Sequence, residues 1–251
     1  MQSENDEASQ APWERDPIIE PARPAARPQG LELGAGKPAP AVLQASGGPQ
    51  SSGYFPLVRR FSIGDRATFV DRDGYTGAVR NEARWRVTRV DEIADRVEVN
   101  NGNVILDLMG NVRRTPIAEF DIPPQFTPTE LFVGKRWTAA FRNKRNGETR
   151  HVSFDFRIRK RERIVVPAGE FNAFRLEGAG VVLEESGTSP GSTQGFSGVG
   201  SYQATIWLLP GANFLIKHEH IVRGPAPRSE VRDWNVRELV DLKQEVLFAP
   251  A

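Results

Sequence analysis

Cysteine is absent from this 251-residue chain, which excludes disulfides, thiol nucleophiles and cysteine-ligated zinc. Histidine is scarce, at three residues, so little imidazole chemistry is on offer. An excess of one charge is missing too: 33 basic against 32 acidic residues leave +1, and no global field recruits nucleic acid or a membrane surface. No apolar run approaches the ~20 residues of a membrane-crossing helix. The first residues, Met1-Gln-Ser-Glu-Asn-Asp-Glu7, are acidic and polar, unlike a secretory leader. Helical periodicity is nearly absent; only Arg237–Phe248 also fits it, through Leu239, Leu242 and Val246, and that segment is read as a strand that frays. Gly195-Phe-Ser197-Gly198-Val199 lacks the last glycine of a nucleophile elbow, and the glycines of 184–200 precede no helix that could hold phosphate.

What is present, from Tyr54 onward, is strand after strand. Val152-Ser-Phe154-Asp-Phe156-Arg-Ile158 sets four apolar side chains on one face, with His151, Ser153, Asp155, Arg157 and Arg159 on the other. Phe171–Leu176, Gly180–Leu183, Tyr202–Leu208, Phe214–Val222 and Val236–Leu242 are further strands. Asp73-Gly74, Asn101-Gly102, Asn146-Gly147 and Ala168-Gly169 mark turns between strands. Residues 184–200 read as a long mobile loop. Residues 1–52 hold eight prolines (12, 17, 21, 24, 28, 38, 40 and 49) and few large apolar side chains, so a disordered Pro/Ala/Gly-rich tether is expected there.

Two segments recur. Phe61-Ser-Ile-Gly64-Asp-Arg66-Ala-Thr68 is echoed by Leu131-Phe-Val-Gly134-Lys-Arg136-Trp-Thr138, and Arg96–Val104 is echoed by Arg163–Phe171. The offset falls from 70 to 67, as a duplicated β unit with a shortened loop would show. The proline-rich connector Ile122–Pro128 divides the copies, giving a first unit over 53–121 and a second over 122–251. The expected fold is all-β: two related antiparallel units forming a curved sheet or half-barrel, preceded by the tail.

The second unit carries Val133-Gly134-Lys135-Arg136-Trp137, then Val166-Pro167-Ala168-Gly169-Glu170-Phe171, then Trp207-Leu-Leu-Pro210-Gly211 before the basic strand Phe214–Glu219, and closes on Arg237-Glu238-Leu239. In this order over 125–243 the chain resembles a group of uncharacterised bacterial envelope proteins. The resemblance implies an exported protein, periplasmic or associated with the outer membrane, with an open curved sheet similar to the half-barrel of periplasmic lipoprotein carriers, and no enzymatic activity or cofactor. Cytoplasmic residence is the alternative. If Met1 replaces a processed, lipidated residue, the tail would tether the β domain to a membrane. Gly134, Trp137, Pro167, Gly169, Phe171 and Trp207 have structural tasks: Pro167 ends pairing, Gly169 supplies a positive φ, and Phe171 returns into the core.

Three chemistries compete for the remaining residues. Phe154, Phe156 and Ile158, with Tyr202 and Ile206, form apolar sets that either pack as core or line a face for a lipid-like ligand. His218 and His220 share a strand face at a spacing a metal could use, with His151 or Asp155 as a third ligand; the plainer reading is a solvated face. Between 135 and 163, eleven basic residues stand against three acids, and Arg157, Arg159, Lys160 and Arg161 could meet anions. Phe154 and Phe156 face away from Arg157 and Arg159, so base stacking beside those arginines is not offered, nucleic acid is not the expected partner, and edge protection accounts for the charge. The reading that emerges is a non-enzymatic envelope protein binding a partner protein or an apolar ligand; the alternative is a metal protein or enzyme using the His218/His220 face.

Overall fold

The computed structural model of the chain describes residues 31–33, 55–57, 59–145, 148–185, 196–224 and 229–245. All described secondary structure is β: β1 (Leu31–Leu33), β2 (Phe55–Pro56), β3 (Arg66–Asp73), β4 (Val79–Asp91), β5 (Arg96–Val99), β6 (Val104–Leu106), β7 (Val112–Thr115), β8 (Ala118–Ile122), β9 (Glu130–Leu131), β10 (Arg136–Arg145), β11 (Glu148–Val166), β12 (Gly169–Glu185), β13 (Phe196–Leu208), β14 (Lys217–Arg223) and β15 (Val231–Gln244). Every pairing is antiparallel, as short connections between strands require.

The sheet closes on itself. Strands β3 to β8 and β10 to β15 follow one another in order, and β15 then pairs with β3 from Asn235↔Asp73 to Lys243↔Arg66, giving a barrel of 12 strands. The expected open sheet or half-barrel is thus a complete ring, because the first and last long strands use each other's free edges. Both expected units belong to this one ring, since β8 pairs with β10 across the proline-rich connector. That connector folds inward: the Phe126 ring lies 5.5–5.9 Å from those of Phe141, Phe154 and Phe156.

Other expectations shift in detail. Within 1–52, Leu31–Leu33 pairs with the edge of β15 beyond the end of β14, and the rest of the expected tether lies outside the described residues. The loop expected over 184–200 shrinks, because β12 and β13 stay paired to Glu185↔Phe196. The Asn146-Gly147 turn is outside the described residues, although β10 and β11 pair up to Arg145↔Glu148. The segment at 237–248 is a strand as far as Gln244.

The first echo has matched geometry. Gly64 N–H donates to Val87 O and Val87 N–H to Asp65 O; Gly134 N–H likewise donates to Ile158 O and Ile158 N–H to Lys135 O. The second echo does not. Arg96–Val99 is a separate strand reached through a turn, whereas 163–166 continues β11.

Two apolar clusters fill the molecule. One joins Phe69, Val87, Val97 and Leu106 to Phe171, Phe214 and Leu239. The other joins Phe141, Phe154, Phe156 and Ile158 to Phe174, Leu176, Ile206 and Leu208, with Phe55 and Leu131 of the small β2–β9 pair. The Val166–Phe171 hairpin docks at one end, where the fully buried Ala168 donates its N–H to Leu239 O at 3.0 Å. Gly169 has φ +132°, a conformation that strains any branched residue, so Gly169→Val is expected to lower stability by about 1–3 kcal/mol. A melting temperature unchanged by that substitution would contradict this assignment. Trp137 stacks on Phe156 at 5.1 Å, and Trp207 donates its indole N–H to Glu162 at 2.9 Å.

Candidate functional site

Alternation along the strands decides what the bore contains. On β13, Tyr202, Ala204, Ile206 and Leu208 point inward, and their register partners Val222, His220 and His218 on β14 do the same. On β15 the matching positions are Asp233, Asn235 and Arg237, followed on β3 by Asp71 and Phe69. Half of the wall is therefore polar and faces an aromatic and aliphatic half contributed by β10–β13 and Phe126. Between the two core clusters lies an interior cavity of about 410 Å³, lined by members of both halves.

The polar half is tightly wired. Arg237 grips Asp71 with two hydrogen bonds of 2.7 and 2.8 Å, and its guanidinium sits over the rings of Phe69 and Trp85. Asn235 and Asn81 add longer contacts of 3.4 Å to the same carboxylate. Burial opposes ionisation of Asp71, but the bonds from Arg237 outweigh it and hold the carboxyl below its usual range. Next along the wall, His220 Nε2 lies 3.1 Å from Asp233 Oδ2, while Arg80 donates to Asp233 Oδ1 at 2.8 Å and to Asp73. The bond from His220 and that from Arg80 hold Asp233 down at about 2, so it is a carboxylate and the His220 Nε2–H is the donor. The His220 ring is thereby fixed in orientation, with Nδ1 enclosed and without a protein partner.

His218 is enclosed more deeply. Burial, helped by the neighbouring His220 and Arg237, pushes its pKa down to about 3, so the ring is neutral. Its Nε2 is also buried and unpartnered. The two imidazoles lie 5.3 Å apart, Tyr202 stacks on His220 at 5.4 Å, and Phe126 approaches His218 at 6.2 Å. Burial, with Asp233 adding, raises the Tyr202 hydroxyl well above its normal range.

These placements redistribute the residues singled out in the sequence. Tyr202 and Ile206 line the cavity. Phe154, Phe156 and Ile158 point the same way but are consumed as core, each 1 % exposed or less. His218 and His220 face the bore, not solvent, because β14 is flanked on both sides and its inward positions are enclosed. His151 cannot join them: it precedes the inward Val152 on β11 and so lies on the outer face, as does Asp155, which accepts from Thr138 at 2.7 Å. No group of three or more potential metal ligands occurs among the described residues.

The basic band is not an open patch either. Arg157 and Arg159 are buried, at 5 % and 8 % exposure. Arg159 pairs with Glu177 at 3.1 Å, Lys160 with Glu162 at 2.9 Å, and Lys135 with Glu130 at 2.5 Å. Arg161 lies over Phe55 and Phe174, at 4.7 and 5.4 Å from their ring centres. Sequence reasoning gave no place in a site to Arg237, which it met only in a motif, and passed over Asp71, Asp233 and Phe126. An Asp and an Arg recurring at alternate positions, Asp233-x-Asn235-x-Arg237, is the one local signal that could have marked an inward polar stripe.

No protein-family model matches this sequence, and no curated protein matches it. Among solved structures, the chain is similar to one from Bacteroides fragilis described as an exported protein with a YmcC-like fold, at 12% identity over 75% of this chain and 100% of that one, with a TM-score of 0.46. A protein of Parabacteroides distasonis described as a lipoprotein is similar at 14% identity over 75% of this chain and 99% of that one, TM-score 0.43. The hypothetical lipoprotein YmcC of Escherichia coli is similar at 10% identity over 74% and 85%, TM-score 0.35.

Proposed function

We propose that this protein is a non-enzymatic binding protein of the bacterial envelope that carries an apolar, lipid-like ligand inside its barrel. The observation that supports the reading best is the interior cavity of about 410 Å³, with an aromatic wall opposite a wired polar wall. Its size falls within the range of small-molecule pockets, which combine an apolar lining with a few fixed polar groups. A chain lies along Phe126, Tyr202 and Ile206, and a head group meets a polar group of the lining. Closure of the ring favours a ligand held inside over a partner strand added at an edge, because the long strands leave few free edges.

A fluorescent fatty-acyl probe titrated into the full chain is expected to bind saturably at one site. Phe156→Asp is a poor control, since Phe156 is packed core; Val222→Trp fills the bore from a lining position without cutting into either cluster. That variant is expected to lose probe uptake and keep its fold. Undiminished uptake by folded Val222→Trp would place the ligand elsewhere.

A second reading rests on the two unpartnered ring nitrogens, His218 Nε2 and His220 Nδ1, which could hold a soft cation between them. Stoichiometric metal in elemental analysis of the purified protein, lost in His218→Leu, would favour it.

A further inference from the structure

One cation in the cavity stands apart from the wired wall. Arg59, on the segment between β2 and β3, lines the bore near the β13–β14 connection. Its NH1 donates to Asn213 O at 2.5 Å, and its Nε is enclosed with no partner. Among the described residues no carboxylate pairs with it. Asp107 acts on it only through space, and that carboxylate accepts instead from the Asn111 backbone N–H at 2.7 Å and side-chain amide at 3.0 Å. Arg237, by contrast, holds Asp71 through both its Nε–H and its NH2 group. The site is also shaped for the guanidinium. Gly110 stands at φ +79°, and a Cβ there would fall 2.4 Å from Arg59 NH1. Burial pushes Arg59 down to about 10, with Asp107 opposing, as expected of a desolvated charge without its counter-ion. An enclosed charge left without an ion pair is costly, and an anion supplied from outside relieves that cost.

Resting on the reading of the bore as a ligand site, we propose that the ligand is an oxyanion-headed amphipath whose head group is held by Arg59 while its chain runs along Phe126, Tyr202 and Ile206. Carboxylate and phosphate heads share this chemistry, since the guanidinium fork suits both.

Four probes with one chain length separate the outcomes: laurate, lauryl phosphate, lauryl alcohol and laurylamine, each titrated calorimetrically into the full chain. One of the two anions is expected to bind at least about tenfold more tightly than the alcohol, in keeping with a charge-assisted hydrogen bond, and the amine to bind most weakly. Whichever anion leads identifies the head group. In Arg59→Met the affinities for anion and alcohol are expected to converge. Should that variant fail to fold, the wild-type Arg59 Nε–H resonance serves instead: it is expected to shift on adding the anion and to stay in place on adding the alcohol. Alcohol binding as tight as anion binding, or an unmoved Nε–H resonance in the anion complex, would overturn the assignment while leaving the bore a ligand site. Failure of all four probes to bind would overturn both.

Discussion

Gly180→Val is expected to cost the barrel about 3 kcal/mol or more, the upper end of what overpacking does to a filled interior. Gly178 and Gly180 lie opposite Phe156 and Phe154 across the β11–β12 pair. The rings fold over the glycines: a Cβ at Gly178 would sit 2.3 Å from the Phe156 ring, and one at Gly180 would sit 2.0 Å from Ser153 O and 3.0 Å from the Phe154 ring. Side chains could rotate away from the first contact, but a backbone carbonyl held in a ladder cannot. Missing glycine side chains normally weaken a strand; here the absent volume is filled by neighbouring aromatics, so the weakness is offset by packing. For a domain of this size such a loss corresponds to a melting temperature lower by about 6–12 °C. Ala179→Val, one position away on the outer face, is the control and should change little. A Gly180→Val protein that melts like the wild type would mean that the rings do not cover these positions.

Acid is expected to destabilise the fold through His218 at pH values where surface carboxylates are still ionised. The unfolded chain takes up a proton on this ring as pH falls through about 6.5, whereas the folded protein resists until about 3. Stability from this group is therefore complete above 6.5 and is lost progressively down to 3, amounting to about 3 kcal/mol by pH 4. Asp233, held at about 2, adds a second loss that begins only below about 3.8 and runs down to 2. Denaturant unfolding between pH 7 and pH 4 separates the two, since only His218 acts across most of that span. In His218→Leu the slope over this span should be markedly shallower. Equal slopes in the two proteins would show that cavity water solvates the ring and that its enclosure is incomplete.

The parts of this molecule that could be read from sequence are those where alternation is clean. Val152 to Ile158 reads as one inward face because every second residue is apolar, and the Pro-Ala-Gly hairpin declares itself through residues with narrow backbone preferences. Closure could not be read, because nothing local in Arg66–Asp73 or Val231–Gln244 names its partner more than 160 positions away. The polar wall was illegible for a different reason. Inward His218, His220, Asp233, Asn235 and Arg237 alternate with the outward Glu219, Trp234 and Val236, so on β15 the apolar positions lie outside and alternation alone turns the wrong face to the interior. The enclosure of His218 and His220 becomes evident only once β13 and β15 flank β14. Phe126 hid inside a proline-rich connector that resembles a linker, yet its ring meets four others in the bore. The basic band misled through the window in which it was counted. Its counter-charges Asp121, Glu170 and Glu177 fall outside 135–163 and return through strand pairing, and Glu130 stands just before the window, five positions from Lys135.

Occupation of the bore by a ligand is tested most directly by isotope-filtered nuclear Overhauser measurements on the full chain saturated with the tightest-binding of the lauryl probes. The expected contacts run from the acyl methylenes to the rings of Phe126, Tyr202 and Phe141 and to the methyls of Ile206, all of which line the cavity. Contacts confined to exposed apolar residues such as Ile93 and Val165, or none inside the barrel, would contradict a ligand-carrying interior.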